Sequence, residues 1–143
     1  MKIGYTTGVF DLFHYGHLNL LKKAKLKCDK LFVFVQSDQA AFKIKGKYPI
    51  MKEDERINLL RDLPSLASKV LIYNGTDEST DLHERIIEKI NPDIFIKGSD
   101  WAEKEVSKDI MSFLKKNGIN IEIIPYTKSI STSEIRSRFQ EKQ

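Results

Sequence analysis

Apolar positions along this chain fall into short runs that alternate with stretches of helical period. IGYTT (3–7), LFVFVQ (31–36), KVLIY (69–73), DIFIK (93–97) and INIEIIP (119–125) read as strands. LFVFVQ is apolar until its last residue, the mark of a strand buried on both faces. Between these runs, residues 16–27, 53–63, 79–90, 105–117 and 131–140 carry the spacing of amphipathic helices. Punctuation supports the division: Ser79 or Thr80 can cap the third helix, Pro92 prevents its continuation, and Gly118 stops the fourth.

Five strands alternating with helices predict an α/β architecture, a single doubly wound, Rossmann-like domain over residues 1–143. Its five-stranded parallel sheet would carry helices on both faces. Such sheets bind ligands beyond the carboxyl ends of their strands. The polar, glycine-rich stretches of this chain fall there: GVFDLFHYGH after the first strand, QSD and a lysine-rich segment after the second, KGSDW at the end of the fourth, and YTKSISTS after the fifth.

Composition narrows the class. With 41% hydrophobic and 31% charged residues among 143, the chain suits a soluble globular protein. No apolar run approaches the ~20 residues of a membrane span, and MKIGYTTG lacks the apolar core of a signal peptide. The single cysteine, Cys28, excludes an internal disulfide and a multi-cysteine metal site, so a cytoplasmic location without a membrane partner is expected. The net charge of +4 matters less than its distribution. Lys43, Lys45 and Lys47 alternate in FKIKGKYP, and in an extended loop that spacing puts Lys45 and Lys47 on one side. Phe42 and Tyr48 are the only aromatics beside them, too few for an RNA-binding face. A compact anionic ligand is expected, and no nucleic-acid partner.

His14 and His17, three apart around Gly16, share a face of a helix or tight turn. They are either a cap and a packed ring, or two donors aimed at phosphate oxygens where a helix N-terminus also favours anions. No third ligand completes a zinc site, so no protein-held metal is expected. Ser131, Thr132 and Ser133 open the last helix and have the same two readings, ordinary cap or anion site.

GVFDLFHYGH, KGSDW and ISTSEIR resemble, in order, three signatures of the nucleotidyltransferase superfamily that includes the glycerol-3-phosphate and choline-phosphate cytidylyltransferases. The resemblance covers essentially the whole chain. It implies cytidylyl transfer from CTP, with Mg²⁺ or another divalent cation, to a phosphorylated alcohol such as glycerol 3-phosphate. The acceptor phosphate attacks the α-phosphorus in line and pyrophosphate leaves. His14 and His17 would contact the α-phosphate, and Asp11 would orient the site, its competing role being a helix N-cap. Lys45 and Lys47 would clamp the acceptor phosphate and triphosphate, with Arg56 beside the acceptor or in a surface pair with Glu53. Thr7, Gly8, Val9, Phe10, Gly16, Lys97, Gly98, Asp100 and Trp101 would border the nucleotide, and Ile130, Ser131, Thr132 and Ser133 its β- and γ-phosphates. A homodimer is the family expectation.

Two departures keep other readings open. YTKS stands where relatives read R-T-E-G, with Tyr126 at the arginine and Ser129 at the glycine, leaving Lys128 and Arg136 as substitute cations. That loss motivates a nucleotide-binding module without catalysis as a third reading. GVFD, with Val9 where many cytidylyltransferases carry threonine, also resembles the bacterial heptose-phosphate adenylyltransferases, whose related element is KGGDY. Trp101 tilts the balance to the cytidylyl side. DLPSLASKV (62–70) lacks the charged pair that relatives place there and is a candidate subunit interface.

Overall fold

Each apolar run predicted as a strand is one, with ends shifted by a residue or so. The computed structural model describes residues 1–75, 79–125 and 131–141. In chain order these form β1 (Ile3–Gly8), α1 (Tyr15–Leu26), β2 (Lys30–Gln36), α2 (Asp38–Lys45), α3 (Glu53–Arg61), β3 (Lys69–Tyr73), α4 (Thr80–Ile90), β4 (Ile94–Gly98), α5 (Ser99–Ala102), α6 (Glu105–Lys116), β5 (Asn120–Ile124) and α7 (Thr132–Glu141).

Every strand pairing is parallel, and the order across the sheet is β3-β2-β1-β4-β5. The side-chain alternation of β2 sorts the core by chemistry. Leu31, Val33 and Val35 face α1 and α3, where Leu21, Ala24, Ile57 and Leu60 complete an aliphatic layer. Phe32 and Phe34 face the other way, joining Tyr5, Phe95 and Trp101 in an aromatic layer closed by Leu82 and Ile86 of α4 and Ile110 and Leu114 of α6. Both faces are therefore covered, and the chain forms a single α/β Rossmann-like domain. Among the described residues no helix is long and apolar enough to cross a membrane.

Strand order positions the site. The chain steps outward from β1 to β2 to β3, then returns to lay β4 on the other side of β1. The crevice of a doubly wound sheet opens at that reversal. Here it lies beyond the carboxyl ends of β1 and β4, where GVFDLFHYGH and GSDW emerge.

One expectation needs correction. The lysine-rich segment is not an extended loop: Ser37 Oγ caps the Ala40 amide at 3.1 Å, and α2 runs through Lys43 and Lys45 before Gly46 ends it at φ 72°. In KGSDW, Lys97 and Gly98 end β4, and Ser99, Asp100 and Trp101 wind into the single turn of α5. Within DLPSLASKV, Leu66 and Ala67 are buried in the aliphatic layer. Those two side chains belong to the core, whereas Pro64, Ser65, Ser68 and Lys69 of the same segment are exposed.

Candidate active site

The turn leaving β1 is built on backbone that few side chains adopt. Phe10 and Leu12 have φ of 56° and 50°, in the left-handed region, with Asp11 between them. Such conformations cost free energy and persist where the surroundings enforce them, commonly at functional sites. Phe10 is buried, and a Cβ on Gly8 would meet its ring at 3.0 Å, so Gly8 permits the fold-back.

Asp11 ties this turn to the rest of the site. Its carboxylate accepts the Ile50 and Met51 amides, each at 2.8 Å, and the Arg136 guanidinium at 2.6 Å. Its carbonyl accepts the Thr132 hydroxyl at 3.0 Å. Burial pushes the carboxyl upward, but the two amides and Arg136 outweigh it and hold the group below its ordinary value. Asp11 is thus a permanent anion joining three segments, and it is not the N-cap of α1.

His14 takes that capping role, and does more. Its Nδ1 accepts the Gly16 amide at 3.0 Å, while Nδ1 of His17 accepts the His14 amide at 3.2 Å. An imidazole that accepts through Nδ1 carries its proton on Nε2. Both rings therefore present an Nε2–H donor edge. They stack with centroids 3.9 Å apart, and Phe10 and Phe13 lie 5.5 and 5.4 Å from His17. His14 Nε2, the nitrogen not used in the cap, is 3.4 Å from Thr132 Oγ1, so the ring, the α7 hydroxyl and the Asp11 carbonyl that accepts it stand in one chain. The two readings of the histidine pair are compatible: one nitrogen of each ring organises the helix, while both rings line the cleft, with His14 Nε2 lying against Thr132 Oγ1.

Burial lowers the pKa of His14, and burial followed by the neighbouring His14 ring lowers His17 to about 3. Both rings are accordingly neutral donors near pH 7. The folded protein binds fewer protons than the unfolded chain between the ordinary histidine value and about 3, so stability is full above pH ~6.5 and is lost as pH falls. A wild-type melting temperature that drops more steeply between pH 6.5 and 4 than that of His17→Asn is expected; parallel curves would contradict the assignment.

The other predicted residues divide. Lys45, Lys47, Gly8, Val9, Thr7, Gly98, Asp100 and Ser133 line a cleft of about 300 Å³ together with Asp11, His17 and Arg136. A contiguous compartment of about 280 Å³ adds His14, Gly16 and Ser131. Ser131 Oγ accepts the Glu134 amide at 3.1 Å and caps α7, leaving Ser133 exposed at the mouth. Lys45 is held below its ordinary value, first by burial and then by Lys104, Arg136 and Lys47. Ile130, Tyr126, Lys128 and Ser129 lie outside the described residues.

Arg56 departs from both of its expected roles. It is 0% exposed, and four of its N–H donors reach Met51 O, Val9 O, Gln36 O and the Asp38 carboxylate at 2.7–3.0 Å. It meets neither solvent nor the cleft, because the carbonyl ends of the β1 and β2 turns enclose it. Lys97 and Trp101 are also more structural than expected. The Lys97 ammonium donates to Thr7 O and Thr7 Oγ1, and Trp101 is 5% exposed with its ring edge-on to Phe95 at 5.4 Å. Both touch the cleft only along its wall. Sequence reasoning missed Lys104 and Gln36 as lining residues. Gln36, at the end of an apolar run, carried a signal; Lys104, between two helices, carried none.

A family model for cytidylyltransferase-like proteins matches residues 5–138. Bifunctional protein HldE of Caulobacter vibrioides is 39% identical over 113 residues, covering 78% of this chain and 22% of that protein. HldE of Hyphomonas neptunium is 36% identical over 140 residues, covering 96% and 27%. The chain thus spans about a quarter of the curated relatives it matches. The crystal structure of a lipopolysaccharide core biosynthesis protein from Thermoplasma volcanium superposes with a TM-score of 0.69 at 29% identity, over 91% of this chain and 99% of that one. With the three signatures gathered on one edge of the sheet and the match running from β1 to α7, the chain belongs to the cytidylyltransferase-like family of nucleotidyltransferases.

Proposed function

We propose that the chain transfers a nucleotidyl group from a nucleoside triphosphate to a sugar phosphate, with ATP and a heptose phosphate as its substrates. The observation that carries this reading is the convergence of two neutral imidazole donor edges with the N-terminus of α7, joined through Thr132. A triphosphate laid across that junction meets Nε2–H donors at its α-phosphate and the exposed Ser133 hydroxyl beyond. The acceptor phosphate then attacks in line, the P–O bond to pyrophosphate breaks, and charge shifted onto the α-phosphoryl oxygens is met by preorganised donors. Arg136, held by Asp11 at the cleft wall, supplies the positive charge that Tyr126 does not.

Mg²⁺ enters as the companion of the triphosphate. Among the described residues no group of three His, Cys, Asp or Glu side chains gathers to cage a metal, and the Asp11 carboxylate is already engaged by two amides and a guanidinium. The phosphate oxygens themselves, with exposed Asp100 at the cleft, are the donors that fit a divalent ion.

The choice of nucleotide rests on kinship with HldE, which favours heptose-phosphate adenylyl transfer over CDP-glycerol formation. The argument from Trp101 for a cytidylyl enzyme loses force because the indole packs in the aromatic layer. CTP with glycerol 3-phosphate is the second reading, supported by Gly98, Asp100 and Trp101 in family order. A matrix of four nucleoside triphosphates against sugar phosphates and glycerol 3-phosphate, read as pyrophosphate release, separates the two. Turnover confined to ATP and a heptose phosphate is expected. Turnover only with CTP reverses the choice, and nucleotide binding without turnover of any acceptor favours a non-catalytic module.

A further inference from the structure

The two compartments of the cleft differ in chemistry. His14, Gly16, Pro125 and Ser131 line only one of them, on the α1 and α7 side. Lys47, Lys104 and Gln36 line only the other. His17 and Lys45 line both, at the junction. Transfer between two bound phosphates needs such a junction, with one substrate on either side of the donor group.

We propose that Lys104 completes a phosphate subsite with Lys45 and Lys47, and that the subsite holds the dianionic phosphate of the acceptor. Topology puts these cations on opposite walls. Lys45 ends α2 and Lys47 follows it, on the β2 side of β1, whereas Lys104 joins α5 to α6, on the β4 side. Among the described residues none of the three makes an ion pair, although other exposed lysines do, such as Lys27 with Glu122 and Lys108 with Glu105. Like charges facing one another across a cavity are unfavourable until an anion enters between them. Lys45, Lys47 and Lys104 line the same cleft, and after burial Lys104 is the first neighbouring charge that lowers the pKa of Lys45, with Asp11 acting in the opposite sense.

Size and lining set the class of ligand. About 300 Å³ accommodates a small phosphorylated molecule and no polymer. Ala41, Ile44 and the edge of Trp101 offer an apolar wall for the carbon skeleton of a sugar, while the lysines take its phosphate. The assignment of this phosphate to the acceptor rests on the transferase reading above; the existence of the subsite does not.

The test uses inorganic phosphate as probe, which requires neither the right nucleotide nor the right acceptor. Calorimetric titration of Lys104→Gln is expected to show affinity about tenfold weaker than wild type. Lys104→Arg should bind within about twofold of wild type, and Lys108→Gln, on the helix that Lys104 precedes but paired with Glu105, should bind as wild type does. Unchanged phosphate affinity in Lys104→Gln, or no measurable binding by the wild type, overturns the subsite. With a working substrate pair, Lys104→Gln should raise KM for the acceptor about tenfold and leave KM for the nucleotide in place. A rise confined to the nucleotide overturns the acceptor assignment and moves Lys104 to the triphosphate tail.

Discussion

His14→Asn is expected to lower turnover by about 10²–10³-fold while changing stability by less than about 1 kcal/mol. The reasoning separates the two nitrogens of the ring. Nδ1 caps α1 by accepting the Gly16 amide, a task that asparagine performs well. Nε2, which reaches toward Thr132, has no counterpart in asparagine. Removing one preorganised donor to a developing negative charge typically costs about 3–4 kcal/mol of transition-state stabilisation. His14→Ala should lose both functions, and His17→Ala should match it in turnover. The measurements are kcat with the active substrate pair and the urea midpoint of each variant. Normal turnover in His14→Asn would remove the ring from the chemistry and leave it as a cap.

Arg56→Leu is expected to cost about 3–5 kcal/mol of stability, enough to unfold a domain of ordinary marginal stability. The side chain is fully buried, and its loss strands the Asp38 carboxylate and three carbonyls from separate turns. Arg56→Lys should restore little of this, because a point charge with three donors cannot span acceptors held around a planar fork. Urea denaturation decides it. A loss below about 1 kcal/mol in Arg56→Leu would mean that water replaces the guanidinium, contrary to its enclosure.

These two residues mark the limits of what the sequence discloses. The strands were legible because burial on both faces leaves an apolar run that nothing else in the chain imitates. The histidines and the α7 hydroxyls were legible because their spacing is local. Arg56 was not, since its partners come from Val9, Gln36, Asp38 and Met51, scattered over the chain and mostly backbone atoms. No side-chain pattern encodes a carbonyl. The helix through Lys43 and Lys45 had local signals in Ser37 and Gly46, a cap and a stop. Alternating lysines outweighed those signals in the reading, although a helix also accommodates that spacing. Lys104 was invisible for a different reason: its neighbours across the cleft, Lys45 and Lys47, lie more than fifty positions earlier.

Met51 has its amide held by Asp11 and its carbonyl held by Arg56. A residue fastened at both its amide and its carbonyl cannot slide, so the stretch from Gly46 to Lys52 has a set contour length despite its surface position. Removing or adding a residue there should displace Lys47 or pull Asp11 from its partners. Tyr48, exposed and stacked on the likewise exposed Phe42, is by contrast a position where the side chain should tolerate change. The segment should therefore tolerate substitution but not a change of length.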